Sequence, residues 1–464
     1  MKMQELPRLK AELPSWRRLL QTLLYDQSID RATKAKARLG LAIVVFVGIY
    51  GVIALRLVAF ATLGDGQGSR HSVSQDAIST ARPDILDRNG EIIAIDVRTP
   101  SLFAEPRKLI EVDEAVELLT AAMPDLDTAE VRERLSSKRG FVWLKREITP
   151  KQQLEIHRLG IPGVGFLTEN KRVYPNGPLV SHEIGHVNID NQGIAGIEKW
   201  LDGQGLAALH MAGFATDRLQ RPVELALDLR VQFAMREELT ASIEKYKAKA
   251  AAGIVSDVRT GEIISMVSLP DYNPNNPHEA NDPTRINRLT TGVFELGSTF
   301  KALTLAMALD SGKYTLKSML DARGKLHYGK FNIGDAHGQN RMLTLPEVFT
   351  YSSNVGTARM ALGMGVEHHQ WFLKKLGQLD RLRTELPESA APILPKRWVE
   401  LNTVTIAYGH GIAVAPLQAV AGISALVNGG LLIPPTFMLR TEKEARALGK
   451  RVIKPETCEK MRYL

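Results

Sequence analysis

Residues 39–55 run for 17 positions without a charge; Arg56 interrupts, and LVAFATL continues the apolar stretch to Leu63. A bilayer-spanning helix needs about 20 mostly apolar residues, and an arginine near its end can reach the headgroup region. The leader before it, residues 1–38, carries nine Lys or Arg against four Asp or Glu. A secretory signal peptide has a much shorter basic leader, so the segment is expected to stay as an anchor and not to be cut after the AFA at 59–61. The positive-inside rule then keeps residues 1–38 in the cytoplasm and exports the chain beyond the span. The net charge of +8 is accordingly a topology signal, and no nucleic-acid partner is expected.

The exported part must fold without disulfides, because Cys458 is the single cysteine of the 464 residues. Residues 64–81 are polar and rich in Gly and Ser, a linker composition. A first domain is expected over 82–218. It opens with RPDILDRNGEIIAIDV, whose apolar residues alternate around Asn89-Gly90, a hairpin signal. Residues 111–136 have helical spacing (Val112, Ala115, Leu118, Leu119), a short helix should end at Gly160, and GIAGIEKWLDGQ (193–204) should turn into another. A second domain is expected over 219–464. A strand and a long amphipathic helix lead into the hairpin AAGIVSDVRTGEIISMVSLP. STFKALTLAMALDSG is apolar nearly all round and should be a buried helix closing at Gly312.

Arg82, Asp87 and Arg88 are expected to form an ion-pair network at the hinge between the domains. Trp143, Trp200, Trp371 and Trp398 read as packing residues. The 11 histidines show no metal-ligand spacing and no Gly-rich phosphate loop is present, so neither a metal nor a cofactor is expected.

Residues 294–301 read FELGSTFK. Gly297 permits a tight turn that brings Ser298 to a helix entrance, where unpaired N–H groups and the helix dipole favour a developing negative charge. Lys301, three residues on, lies on the same face. Burial of its amine in an apolar helix lowers its pKa, so that it could take the serine proton. Ser-x-x-Lys recurs by chance in long chains, and a serine after glycine is also an ordinary helix cap. A second motif, Ser352-Ser353-Asn354, precedes another helical run. Ser352 could relay a proton between Lys301 and a leaving group, and Asn354 offers an amide to a substrate carbonyl; a helix cap is again the plain alternative.

With the apolar anchor, RPDILDRNG, GIAGIE, IVSDVRTGEIISMVSLPDYNPN, ELGSTFK, SSN and YGHGIAVAPLQAVAGISALVNGG in this order, the chain from residue 39 onward resembles a class B penicillin-binding protein. Those are membrane-anchored D,D-transpeptidases of the bacterial cell wall, and Ser-Ser-Asn is similar to the division-specific branch. Leu296 departs from the proline common in relatives, away from the reacting groups. The resemblance implies an α+β chain: a single N-terminal transmembrane helix (39–63), a mixed α/β pedestal or dimerisation domain, and a transpeptidase domain with an antiparallel sheet flanked by helices. It implies that Ser298 attacks the penultimate D-Ala of a peptidoglycan stem peptide, with Lys301 as base, Ser352 as relay and Asn354 as substrate contact. β-Lactams would acylate the same serine. The implied place is the inner membrane with the catalytic domain periplasmic, beside a membrane glycosyltransferase and other division proteins.

The family's third motif, Lys-Thr-Gly, is absent from the 464 residues; Arg259-Thr260-Gly261 is the nearest match and sits in the turn of a hairpin. The chain is therefore expected to be truncated at its C-terminus, with an incomplete sheet, an open hairpin edge at 252–268 and a Ser298 helix lacking one packing surface. It is expected to be inactive as it stands, since losing one oxyanion donor costs about 3–4 kcal/mol in the transition state. Two rivals remain: a non-catalytic membrane scaffold of the division machinery, and a β-lactam hydrolase or sensor using the same Ser-x-x-Lys chemistry.

Overall fold

The computed structural model describes residues 43, 46–54, 81–206 and 221–464. Of the expected anchor, residues 46–54 are helical, with Phe46, Val47, Tyr50 and Val52 exposed. The remainder of 39–63 other than Ile43, the leader, and all but residue 81 of the linker lie outside the described residues. Among the described residues no helix is long and apolar enough to cross a membrane.

The first sheet grows from the hairpin that the Asn-Gly turn announces. Strand β1 (Ile85–Leu86) pairs antiparallel with β2 (Ile92–Ala104), and Gly90 takes φ +85° in the turn between them. β2 is long enough to pair with both β3 (Val142–Lys145) and β4 (Val164–Val173), each antiparallel. Helices α1 (Val112–Ala122), α2 (Thr128–Leu135) and α3 (Pro150–Leu159) cover it. Their Ala115, Val116, Leu119, Val131, Leu135 and Ile156 form one core with Leu102, Ala104, Val142 and Leu144. α3 begins at a Thr149–Gln152 capping box and stops at left-handed Gly160, as its sequence signals require. A two-residue strand, β5 (Val223–Glu224), returns parallel to β1, so the second domain starts beside the strand with which the first began.

The two motifs that bracket this first domain meet in its interior. Arg82 donates to Glu198 Oε2 (2.8 Å), to the Glu198 carbonyl (2.7 Å) and to Asp202 (2.6 Å). Arg172 donates to Glu198 Oε1 (2.6 Å) and Asp96 (3.1 Å), and the Arg172 and Glu198 side chains are wholly buried. Burial alone would depress the Arg172 guanidinium; Glu198 and Asp96 raise it above its ordinary value. Short helix α5 (Gly196–Leu201), packed against α4 (Ser181–Ile184), carries the shared Glu198. A Cβ on Gly196 would meet Gly185 N at 2.5 Å, which explains the second glycine of GIAGIE. The expected Arg82–Asp87–Arg88 network is corrected by these contacts. Asp87 instead accepts the turn amides of Asn89 (2.7 Å) and Glu91 (2.9 Å), and Arg88 reaches Glu262 (3.5 Å). Side chains close together in a hairpin turn point to different neighbours.

The second domain sets helix α6 (Leu229–Tyr246) on the hairpin β6 (Ala251–Ser256) and β7 (Ile263–Leu269). Gln232, fully buried in α6, links the domains: its amide nitrogen contacts Leu179 O (2.9 Å) and Glu183 (2.8 Å), and its oxygen accepts Met266 N (2.9 Å) and Ser265 Oγ (2.8 Å). Asn275 adds a reciprocal pair with the Tyr174 backbone (2.9 and 2.8 Å). β7 is flanked by the 226–228 and 436–438 segments through backbone hydrogen bonds, whereas among the described residues β6 pairs with β7 alone.

Helix α7 (Lys301–Asp310) is buried at Leu303, Leu305, Ala306, Met307, Ala308 and Leu309. It packs among α8 (Asn354–Met364), α9 (Val366–Lys375), α11 (Pro416–Val427) and α12 (Pro455–Tyr463), while α10 (Glu400–Ile406) lies against α8. The expected loss of a packing surface on this helix does not occur. α12 closes it, and Asp310 at its end accepts Lys454 N (2.7 Å) and Thr457 Oγ1 (2.9 Å). Trp371 is the other correction: it is 52% exposed on the outer side of α9, with Lys375 Nζ 4.8 Å from the ring centroid.

Removing Glu198 would leave two buried guanidinium groups without their shared carboxylate. Breaking one partner of a buried ion pair costs about 3–5 kcal/mol, so Glu198→Ala should lower the unfolding free energy by that amount in urea titrations followed by fluorescence. A change under about 1 kcal/mol would refute the role given to this network.

Candidate active site

The nucleophile motif enters its helix differently from a simple cap. Residues Gly297–Phe300 form a 3-10 turn, and α7 proper begins at Lys301. Gly297 takes φ +56°, and its N–H donates to Gly409 O at 3.2 Å. A Cβ on Gly409 (φ +81°) would fall 2.1 Å from Gly297 O, so two glycines let the backbones touch behind Ser298. The Ser298 N–H belongs to the first-turn donors that no intrahelical carbonyl reaches.

Lys301 is 1% exposed. Its Nζ lies 3.2 Å from Ser298 Oγ, 2.8 Å from Ser352 Oγ and 2.5 Å from the Ser352 carbonyl. The Ser352 hydroxyl donates to Ser298 Oγ at 3.1 Å. Two hydroxyls and an amine thus close a ring in which a proton can pass between any pair. Burial depresses the Lys301 amine to about 8, against an opposing pull from the Asp335 carboxylate. Ser352 reaches this position through a left-handed backbone, φ +52°, a conformation that costs about 1–3 kcal/mol in a non-glycine residue. It aims both the hydroxyl and the carbonyl of Ser352 at the amine.

Three of the four sequence-predicted site residues, Ser298, Lys301 and Ser352, therefore come together. Asn354 opens α8 beside them, but its amide nitrogen donates to Gly334 O (3.2 Å) and makes no hydrogen bond to the other three. Sequence reasoning missed Asp335, which accepts Ser353 Oγ (2.7 Å) and Val355 N (2.9 Å) and so fixes the turn carrying Ser352. It lies between β10 (Phe331–Ile333) and β11 (Met342–Thr344) in IGDAHGQN, with no periodicity or motif to single it out; β10 itself pairs with β9 (Leu326–Tyr328), and β11 with β8 (Met319–Asp321). Gly409 stands in the YGHG noted in the sequence, and its backbone contact gives that motif a physical reason. Arg259-Thr260-Gly261 is the β6–β7 turn, with Arg259 engaged by Asp257 (2.9 Å).

A buried lysine flanked by two exposed serine hydroxyls at a helix entrance defines a site competent for serine acyl transfer, and comparison with known proteins agrees with that class. Residues 251–464 match the penicillin binding protein transpeptidase domain, and residues 77–203 match the penicillin-binding protein dimerisation domain. The chain is 36% identical over 397 residues to the probable peptidoglycan D,D-transpeptidase FtsI of Caulobacter vibrioides, covering 85% of this chain and 65% of that one. It is 33% identical over 420 residues to the probable peptidoglycan D,D-transpeptidase PenA of Neisseria gonorrhoeae (86% and 71%). It is 30% identical over 419 residues to peptidoglycan D,D-transpeptidase FtsI of Escherichia coli (84% and 69%). The chain thus spans about two thirds of the length of these relatives. A crystal structure of penicillin binding protein 2X from Streptococcus thermophilus shares the fold at TM-score 0.61 and 20% identity, over 83% of this chain and 65% of that one. This chain belongs to the class B penicillin-binding proteins, the family of the peptidoglycan D,D-transpeptidases.

The glycine contact gives a direct check. Gly409→Ala would press a methyl group into the Gly297 carbonyl and strain a positive φ, at a cost of about 3 kcal/mol. The melting temperature should drop accordingly, while Gly312→Ala, whose Cβ would meet nothing within 4 Å, should show only the smaller cost of its positive φ.

Proposed function

We propose that Ser298 is the acyl-transfer nucleophile of a peptidoglycan D,D-transpeptidase, acting in division-associated cross-linking. The observation that carries this reading is the 3.2 Å contact between Ser298 Oγ and the buried, pKa-depressed Lys301 amine. Neutral Lys301 takes the Ser298 proton as Oγ attacks the carbonyl carbon of the penultimate D-Ala. Ser352 returns a proton to the leaving amine as the C–N bond breaks, and D-alanine departs from the acyl-enzyme. An acceptor stem amine then attacks the ester, gives its proton to Lys301, and the Ser298 hydroxyl is restored. Asn354 is assigned to a substrate carbonyl through its side-chain amide. β-Lactams would acylate Ser298 by the same first step.

The division assignment rests on the Ser-Ser-Asn form and on FtsI relatives. The domain limits 82–218 and 219–464 belong to the same proposal, as does a single anchor at 39–63 with the cytoplasm on the leader side. The anchor is supported by the basic leader and the exposed apolar residues of 46–54. Impaired acylation by these 464 residues taken alone belongs to the same proposal: they hold no Lys-Thr-Gly, and among the described residues β6 pairs with β7 alone. Acylation by this chain should be slower by roughly 10²–10³-fold than in a complete cleft.

Fluorescent penicillin should label this chain slowly at Ser298, and Ser298→Ala not at all; rapid stoichiometric labelling would overturn the deficit, and equal labelling of Ser298→Ala the nucleophile. The rate should also climb with pH. With the amine titrating at about 8, roughly a tenth of it is neutral at pH 7 and nine tenths at pH 9, an increase of about tenfold in competent base. A flat profile over that interval would remove Lys301 as the base.

A further inference from the structure

The turn that presents Ser298 is held from behind by a strap, residues 407–414. Phe294 and Val414 exchange both backbone hydrogen bonds (3.0 Å each), and Thr304 Oγ1 donates to Ala407 O (2.8 Å). Between these ties lies the Gly297–Gly409 contact, a single 3.2 Å hydrogen bond between residues with no side chains to resist sliding. One side chain bridges this soft point. Glu295 Oε1 accepts Gly411 N–H (2.9 Å) and Oε2 accepts His410 Nδ1–H (2.7 Å). Glu295 and His410 are 45% and 65% exposed at the side chain. Exposed ion pairs contribute only about 0–1 kcal/mol to stability, so the pair has little value as a brace for the fold. Its value lies in where it grips: three residues before the nucleophile on one side, and directly after Gly409 on the other.

We propose that Glu295 is a positioning residue for the acyl-transfer step, clamping the strap at His410 and Gly411 so that the Ser298 hydroxyl and N–H keep their place against Lys301. The inference rests on the assignment of Ser298 as nucleophile, yet its geometric content is separately measurable. Misplacing a reacting group by 1 Å costs about 10²-fold in rate, so a partial loosening should be visible in chemistry before it is visible in stability.

The test uses the whole chain in three forms: unaltered, Glu295→Ala and Glu295→Gln. Hydrogen exchange read by mass spectrometry should show peptides covering 296–300 and 408–412 exchanging at least tenfold faster in Glu295→Ala. Peptides from α8 and the melting temperature should be unchanged. Glu295→Gln keeps an acceptor for Gly411 N–H and should stay near the unaltered chain. In saturating penicillin, Glu295→Ala should lower the maximal acylation rate about tenfold and leave the half-saturating concentration unchanged, a split that a purely structural role would not produce. Unaltered exchange at 296–300, a global rise in exchange, or an unaltered maximal rate would each overturn the proposal. If Ser298→Ala labels as fast as the unaltered chain, the nucleophile reading falls, while the exchange comparison still decides whether Glu295 holds the turn.

Discussion

The burial of one amine organises the catalytic half of this protein. Lys301 sits at the first position of a helix that is apolar along nearly its whole length, and its nitrogen is surrounded by three oxygens from two serines. An ammonium group in that position is costly to desolvate, and burial lowers the pKa of the amine accordingly. The helix must be encased for the effect to exist, so α8, α11 and α12 serve the chemistry as well as the fold. The turn with Ser352 must be strained for its oxygens to reach the amine, and Asp335 is what holds it there.

The amino-terminal domain is organised by a different kind of burial. Two arginines share one glutamate in its interior: Arg82 comes from the first motif of the domain, Glu198 from the last, and Arg172 from β4 between them. A charge cluster of that sort contributes little net stability over an apolar equivalent, but it is unforgiving of partial loss. Gln232 and Asn275 then carry the connection across to the second domain through backbone contacts. Both are neutral amides, which can satisfy donors and acceptors on two sides at once without leaving a charge behind.

Much of this architecture could be read from residue order. The hairpins at Asn89-Gly90 and Thr260-Gly261, the capped helix from Pro150 to Leu159, and the apolar helix after Ser298 all arise from local rules that act within a few residues. Ser298, Lys301 and Ser352 were legible because helical spacing and a second serine motif restrict what the side chains can do. Asp335, Glu295 and the Gly297–Gly409 contact were not, because each acts on a partner 18 to more than 100 positions away. Arg82 and Arg88 do make ion pairs, but with separate partners (Glu198 and Asp202 for Arg82, Glu262 for Arg88), while Asp87 holds turn amides, so no one network joins the three. Trp371 was assigned to the interior by its type, whereas α9 presents it to solvent.

The left-handed backbone at Ser352 narrows which amino acids can occupy that position. Glycine and asparagine accept φ near +52° readily but supply no hydroxyl. Threonine supplies one, yet its branched Cβ crowds the carbonyl oxygen in this region of conformational space. Cysteine offers a larger, softer atom and a weaker hydrogen-bonding group in place of the hydroxyl. Geometry and chemistry each admit several residue types at position 352, and serine is where the two sets overlap.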